Sequence, residues 1–272
     1  MKRTVFFVSD RTGITAEMLG QSLLTQFDDL SAERQSLPFI DSVEKAHAVV
    51  ATINLAAAAE GQRPVVFSTL VADDTRLVLQ GANALVLDFF QVFISPLESE
   101  LGLKSSHTAG RSHGMQRAAD YNRRIDAVNY ALSHDDGVSP RGLDDADVIL
   151  IGISRSGKTP TSLYLALQCG IRCANYPLIP EDLSAMRLPG NLQRHRGKVW
   201  GLTIRPDRLH QIRSERRPDS DYASLGNCRR EVMSAETLMQ SSGVTYFDST
   251  NRSIEELATV ILQQAGLERH LF

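Results

Sequence analysis

The sequence has no dominant charge of one sign. Its 29 Lys and Arg are set against 32 Asp and Glu, for a formal net charge of −3. A basic footprint able to neutralise a nucleic-acid backbone is therefore missing, and nucleic acid is not an expected partner. Long hydrophobic runs are missing too. No apolar stretch approaches the ~20 residues of a membrane span, and Ala56-Ala57-Ala58-Ala59 closes a helical pattern interrupted by polar residues. The basic start Met1-Lys2-Arg3 passes through Thr4 to Val8 directly into Ser9-Asp10-Arg11, too short for a signal peptide. Cysteine is scarce: Cys169, Cys173 and Cys228 are an odd number with no C-x-x-C pair. That argues against a disulfide framework or a zinc site and for reduced core thiols in a cytoplasmic protein.

What remains is an ordinary globular composition, 42% hydrophobic and 22% charged over 272 residues. Such a chain can bury one large core or two small ones.

Its most informative stretch is Gly152-Ile153-Ser154-Arg155-Ser156-Gly157-Lys158-Thr159, a match to G-x-x-x-x-G-K-[ST]. The glycines let several backbone N–H groups converge on one anion. Lys158 is then placed to reach outer phosphate oxygens, and the Thr159 hydroxyl to help hold Mg²⁺. The flanks suit the motif. Asp147 to Ile151 is an apolar run that reads as a buried parallel strand. Pro160 fits a first helical turn, where its missing N–H is no loss, and Gly170 is a natural helix stop.

The first half alternates strand and helix patterns. Strands are predicted at 4–8, 36–40, 65–70 and 84–90, and helices at 15–27 and 43–60. The first helix is expected to turn Met18, Leu19, Leu23 and Phe27 to one side. The segment 101–114 breaks the rhythm. A helix is predicted at 118–132, with Ile125, Val128 and Leu132 on one face, and further strands lie at 172–179, 199–204 and 245–248. A short helix is expected at 181–188 and a longer one at 222–241. Ser253 to Glu256 forms a capping box that opens the last helix. This rhythm predicts an α/β fold of two similar units, each a parallel sheet flanked by helices, the second a P-loop kinase-like unit. The N-terminal unit is placed at 1–106 and the catalytic unit at 107–272.

Shifted by 144 positions, Val8 to Thr15 lies over Gly152 to Thr159. Arg11, Gly13 and Thr15 recur as Arg155, Gly157 and Thr159, while Ile14 stands where Lys158 does and Val8 where Gly152 does. The reading is a duplicated unit whose first loop has lost phosphoryl-transfer ability.

Phosphoryl transfer needs held phosphates, a group that takes the acceptor's proton, and cations on the transferring oxygens. Asp135 and Asp136 end a helix about 20 residues before Lys158, and acids are disfavoured at that end of a helix dipole without some compensation. They are candidates for the proton. Arg155 is a candidate phosphate contact. Arg205, Arg208, Arg213, Arg216 and Arg217 read either as a lid over phosphates or as a solvated basic helix, and His107 and His113 as possible phosphate or partner contacts. No N-K-x-D base-recognition motif is found in the C-terminal half. Asp88 has the look of a Walker B acid but lies in the first unit. A kinase-like transferase fits best. A small-metabolite kinase and a non-catalytic nucleotide-sensing module are the rivals.

The stretches 6–17, His134-Asp135-Asp136-Gly137 and 152–162 together resemble the bacterial phosphoenolpyruvate synthase regulatory proteins, and plant regulators of pyruvate, phosphate dikinase are similar. The resemblance runs over essentially the whole chain. It implies a bifunctional enzyme that uses ADP to phosphorylate a threonine of phosphoenolpyruvate synthase and inorganic phosphate to remove it, releasing pyrophosphate. On that reading Asp136 is the base, with Asp135 as runner-up, Lys158 neutralises the transferring group, and Mg²⁺ is expected at Thr159. The oligomeric state stays open, with a homodimer among the possibilities.

Overall fold

A computed structural model describes residues 2–105, 118–135 and 142–268. The chain divides into two compact units, Met1–Gly114 and Met115–Phe272.

In the first unit β1 (Lys2–Ser9), α1 (Ile14–Leu24), β2 (Ser31–Leu37), α2 (Val43–Glu60), β3 (Val65–Thr69), α3 (Asp73–Gln80), β4 (Leu85–Asp88) and α4 (Phe89–Leu101) alternate along the chain. The four strands pair in parallel in the order β2-β1-β3-β4. Side chains alternate across a strand, so β1 feeds two cores. Phe6 and Val8 pack with Val49 and Ile53 of α2 and Leu79 of α3, while Val5 and Phe7 meet Ala16 and Leu24 of α1. Phe7, Phe67 and Phe89 form a stacked row with centroids 5.7 and 5.5 Å apart.

That aromatic row corrects the expected face of α1. A Cβ at Gly20 would lie 2.6 Å from ring atoms of both Phe7 and Phe67, so α1 approaches the sheet through Ala16, Gly20 and Leu24. Met18 and Phe27 stay 68% and 64% exposed. Helices α3 and α4 were not predicted. Asp88 is no phosphate-site acid: it caps α4 by accepting from the Gln91 N–H (3.0 Å) and pairs with Arg76 at 2.9 Å.

The second unit repeats the plan. It opens with α5 (Ala118–Ser133), followed by β5 (Val148–Gly152), α6 (Lys158–Cys169), β6 (Cys173–Pro177), α7 (Pro180–Ala185), α8 (Gly190–Gln193), β7 (Val199–Thr203), α9 (Pro206–Arg216), α10 (Leu225–Ser241), β8 (Tyr246–Asp248) and α11 (Ile254–Ala265). Its parallel sheet runs β6-β5-β7-β8. Counted within each unit, both strand orders are 2-1-3-4, so the similarity seen between the two loops extends to topology. Gly13 and Gly157, 144 residues apart, are both left-handed N-caps, with φ of 82° and 92°. Each follows the strand where the order reverses, the crevice in which open α/β sheets bind ligands.

Ile149 and Ile151 face α7 to α10, and Val148 and Leu150 face α6 and α11. The predicted capping box holds: the Ser253 side chain accepts from the Glu256 N–H and Glu256 accepts from the Ser253 N–H. Helix α5 keeps only part of the predicted face. It packs on Ala166 through Ala127 and Ala131, with half-buried Val128 beside them, and leaves Ile125 and Leu132 exposed, because small side chains let the two helices approach closely. All three cysteines are free and buried, and burial pushes the Cys173 and Cys228 thiols upward, towards the inert protonated form. Among the described residues no helix is long and apolar enough to cross a membrane.

Candidate functional site

Strand β5 is buried at every position and delivers its last residue, Gly152, against the neighbouring strand. A Cβ there would lie 2.3 Å from the Leu202 carbonyl oxygen and 2.9 Å from Ser156 Oγ, at a φ of 154°. Because the obstacle is backbone, the sheet must shift for any larger residue. Gly152→Ala is therefore expected to cost about 1–3 kcal/mol through overpacking, a drop of about 3–10 °C in melting temperature. Thermal unfolding followed by circular dichroism checks this, and a wild-type melting temperature would contradict the close approach.

After Gly152 the chain turns through two left-handed residues, Arg155 (φ 75°) and Gly157 (φ 92°), into α6. The first amides of a helix have no intrahelical partners, and its N-terminus carries partial positive charge, so this turn is built to receive an anion. Lys158 is only 4% exposed, and its ammonium donates to the Ile153 carbonyl at 2.8 Å, lying back across the loop. Ser156 Oγ is buried without a hydrogen-bond partner among the described residues.

The carboxylate side of the site comes from α5. Its end is set by Tyr130, whose hydroxyl donates to the Gly142 carbonyl (2.9 Å) and whose ring stacks on His134 at 4.0 Å. Asp135 follows, and its Oδ1 accepts from the Thr159 hydroxyl at 2.9 Å. Asn175 of β6 donates its amide to Asp135 Oδ1 and to Thr159 Oγ1, the latter at 2.9 Å.

Underneath the loop lies Arg213, with no exposure at all. It donates to the Ser154 carbonyl (3.1 Å), the Tyr222 carbonyl (3.0 Å) and Glu231 (2.7 Å), and its guanidinium sits 4.1 Å from the centre of the Tyr222 ring. The Tyr222 hydroxyl in turn meets Ser154 Oγ at 3.0 Å. A buried guanidinium is tolerated when it is paired and hydrogen-bonded, and here those partners brace the loop from behind. The result is a cleft of about 620 Å³ lined by Asp135, Arg155, Lys158, Thr159, Arg216 and Arg217, among others.

The structure thus gathers Gly152 to Thr159 and Asp135. Asp136, His107 and His113 lie outside the described residues. The basic segment does not act as one face. Arg216 and Arg217 line the cleft, Arg213 is buried beneath the loop, and Arg205 and Arg208 are exposed away from the lining. Sequence reasoning missed Asn175, Tyr222 and Glu231. The signal for Asn175 was available: it is the lone amide in the otherwise apolar start of a strand, Cys173-Ala174-Asn175.

Among the described residues no cluster of three or more His, Cys, Asp or Glu could hold a metal. Magnesium, however, is commonly held by one or two protein oxygens plus substrate phosphates and water. Asp135 Oδ1 and Thr159 Oγ1 are hard oxygen donors 2.9 Å apart, and adjacent ligands of an octahedral ion with bonds of about 2.0–2.1 Å stand about 2.9 Å apart. The pair fits the ion.

The first unit's loop offers no such set. Ile14 occupies the lysine position and is 49% exposed. Asp10 is half-buried there, and burial pushes its carboxyl above the usual carboxylate range against the pull of its own main-chain hydrogen bond and of Arg11.

Comparison with known proteins covers both units. The model of the kinase/pyrophosphorylase family matches residues 5–262. A protein of Azoarcus sp. (strain BH72) named "Putative phosphoenolpyruvate synthase regulatory protein" is 56% identical over 268 residues, covering 98% of this chain and 97% of its own. Proteins of the same name from Aromatoleum aromaticum and Paraburkholderia xenovorans are each 55% identical, over 271 and 269 residues. They cover 99% of this chain and 98% and 99% of their own. With a family match over nearly its full length and relatives above half identity, the chain belongs to the kinase/pyrophosphorylase family.

Proposed function

We propose that this protein phosphorylates a threonine of phosphoenolpyruvate synthase with ADP, and removes that phosphate with inorganic phosphate, releasing pyrophosphate. The observation that carries the reading is the joining of Lys158, Thr159 and Asp135 at one helix N-terminus in a chain that the kinase/pyrophosphorylase family model matches over residues 5–262. The names of the relatives supply the target.

The loop from Gly152 to Thr159 holds the β-phosphate of ADP in one direction and free phosphate in the other. A cradle shaped around one phosphoryl group accepts either. In the kinase direction the threonine oxygen attacks the β-phosphorus, the bond from that phosphorus to the oxygen bridging to the α-phosphate breaks, and AMP leaves. Asp136 takes the threonine proton. In the other direction an oxygen of inorganic phosphate attacks the phosphorus of phosphothreonine, pyrophosphate forms, and Asp136 returns a proton to the departing threonine oxygen. Lys158 neutralises the transferring group throughout, and Arg155, Arg216 and Arg217 surround the remaining phosphate oxygens. Magnesium, when bound at Thr159 and Asp135, supplies further positive charge to those oxygens. The reaction belongs in the cytoplasm, where ADP and phosphate are both at hand.

The test is direct. The protein is incubated with ADP, Mg²⁺ and purified phosphoenolpyruvate synthase, and phosphothreonine and AMP are measured. The phosphorylated synthase is then returned with phosphate and pyrophosphate is measured. Both products are expected in matching amounts. Nucleotide bound but left intact would make the protein a binding module, and ATP-driven phosphorylation of a small metabolite with no effect on the synthase would make it a metabolite kinase.

A further inference from the structure

We propose that Asn175 is a positioning residue for the metal end of the cleft: its amide clamps the Asp135 carboxylate to the Thr159 hydroxyl as a preformed pair of oxygens for a divalent cation. The inference rests on the ADP–magnesium reading of the cleft.

Asn175 is 2% exposed and lies in the middle of β6, in register with Leu150 of β5, two residues before Gly152. A buried amide in such a strand is a cost unless it is hydrogen-bonded. Both of its donor bonds go to the site, one to Asp135 Oδ1 and one to Thr159 Oγ1. The Thr159 hydroxyl gives its own hydrogen to Asp135 Oδ1. Three hydrogens therefore close a triangle among three side chains carried on the end of α5, the start of α6 and the middle of β6. The backbone adds a fourth link, since the Asn175 N–H donates to the His134 carbonyl at 2.9 Å. Asn175 thus grips the segment before the carboxylate by its main chain and the carboxylate itself by its side chain.

The orientation of the amide shows which job sets it. Among the described residues its buried Oδ1 has no hydrogen-bond partner, an exception of the kind that calls for an explanation. Flipping the amide would turn that oxygen against the Asp135 carboxylate and remove both donors from the triangle. The acceptor is sacrificed to keep the donors on Asp135 and Thr159. Leucine at this position would fill the space but leave Asp135 held by the Thr159 hydroxyl alone, and aspartate would set a second carboxylate against the first. Side chains that orient metal ligands in this way are worth about 10–100-fold in metal affinity.

The experiment is a Mn²⁺ titration followed by electron paramagnetic resonance, with ADP present, on the full chain and its Asn175→Leu, Asp135→Asn and doubly substituted variants. Calorimetry without metal measures ADP affinity in parallel, and thermal melts check folding. Asn175→Leu is expected to weaken Mn²⁺ binding about 10-fold or more while metal-free ADP affinity stays within about threefold. In the Asp135→Asn background the same change is expected to have little further effect, because Asn175 acts through Asp135. Asn175→Ser, which keeps one donor in a smaller side chain, should fall between the wild type and leucine, and carries the test if the leucine variant does not fold. Unchanged Mn²⁺ affinity in a folded Asn175 variant overturns the proposal alone. So do independent, additive losses in the double variant, the mark of a merely structural residue. A wild-type protein that takes up no Mn²⁺ with ADP present overturns both this proposal and the reading of the cleft beneath it.

Discussion

Lys158→Ala should give a protein that folds and binds its partner, yet transfers phosphate about 10²–10³-fold more slowly in both directions. The ammonium sits almost wholly out of water and is held on the Ile153 carbonyl. In that setting its charge acts on a phosphate at a far lower effective dielectric than in bulk solvent. Arg155, Arg216 and Arg217 line the same cleft, but Lys158 alone of these four begins the helix that the loop wraps. The alanine change also removes a long apolar stem, so Lys158→Met is the companion variant, with similar bulk and no charge. If charge is what matters, methionine and alanine should be equally inactive while methionine melts nearer the wild type. The readouts are ADP-driven phosphothreonine formation, phosphate-driven pyrophosphate release, and ADP affinity by calorimetry. Near-normal turnover in either direction, by either variant, would remove the loop from the active site.

The legibility of this loop in the sequence has a physical reason: every signal for it is local. An apolar run makes the strand, two glycines allow the turn, Pro160 suits the first helical turn and Gly170 the stop, and all lie within about twenty residues. The repeat of the plan in the first unit was legible for the same reason, through Gly13. What the sequence hid depends on side chains brought together from far apart. Helix α1 reads as amphipathic with Met18 and Phe27 inward, but three phenylalanines from β1, β3 and α4 occupy the space and admit only Gly20 and its neighbours. Arg213 reads as one more cation of a phosphate lid or of a solvated basic helix. Its burial depends on Glu231, eighteen residues on, on the Tyr222 ring and on the Ser154 carbonyl, fifty-nine residues back. Asn175 is forty residues from Asp135, and only the docking of the end of α5 against β6 makes them neighbours.

That same network decides how the two adjacent acids should differ. Threonine is a poor nucleophile while it keeps its proton, so a carboxylate must take that proton as phosphorus is attacked. Asp135 is poorly suited, because its Oδ1 already accepts from Thr159 and Asn175. On the proposed reading Asp136, the next residue, is left for the proton. Asp136→Asn keeps the shape and removes the acceptor, and should slow both reactions by about 10²–10⁴-fold with ADP and Mn²⁺ binding intact. Both directions should suffer together, because the bond between threonine oxygen and phosphorus that forms in one is the bond that breaks in the other. Asp135→Asn should instead weaken Mn²⁺ binding in the ADP complex, and its transfer rates should recover in part at high metal concentration. The measurement is a pair of rates for each variant, taken at low and at saturating Mg²⁺. A variant at Asp136 that loses one rate and keeps the other would mean that the two directions handle the proton with different residues. If Asp136→Asn is fully active, and Asp135→Asn is dead at every metal concentration, the base is Asp135, and the clamp from Asn175 orients a proton acceptor rather than a metal ligand.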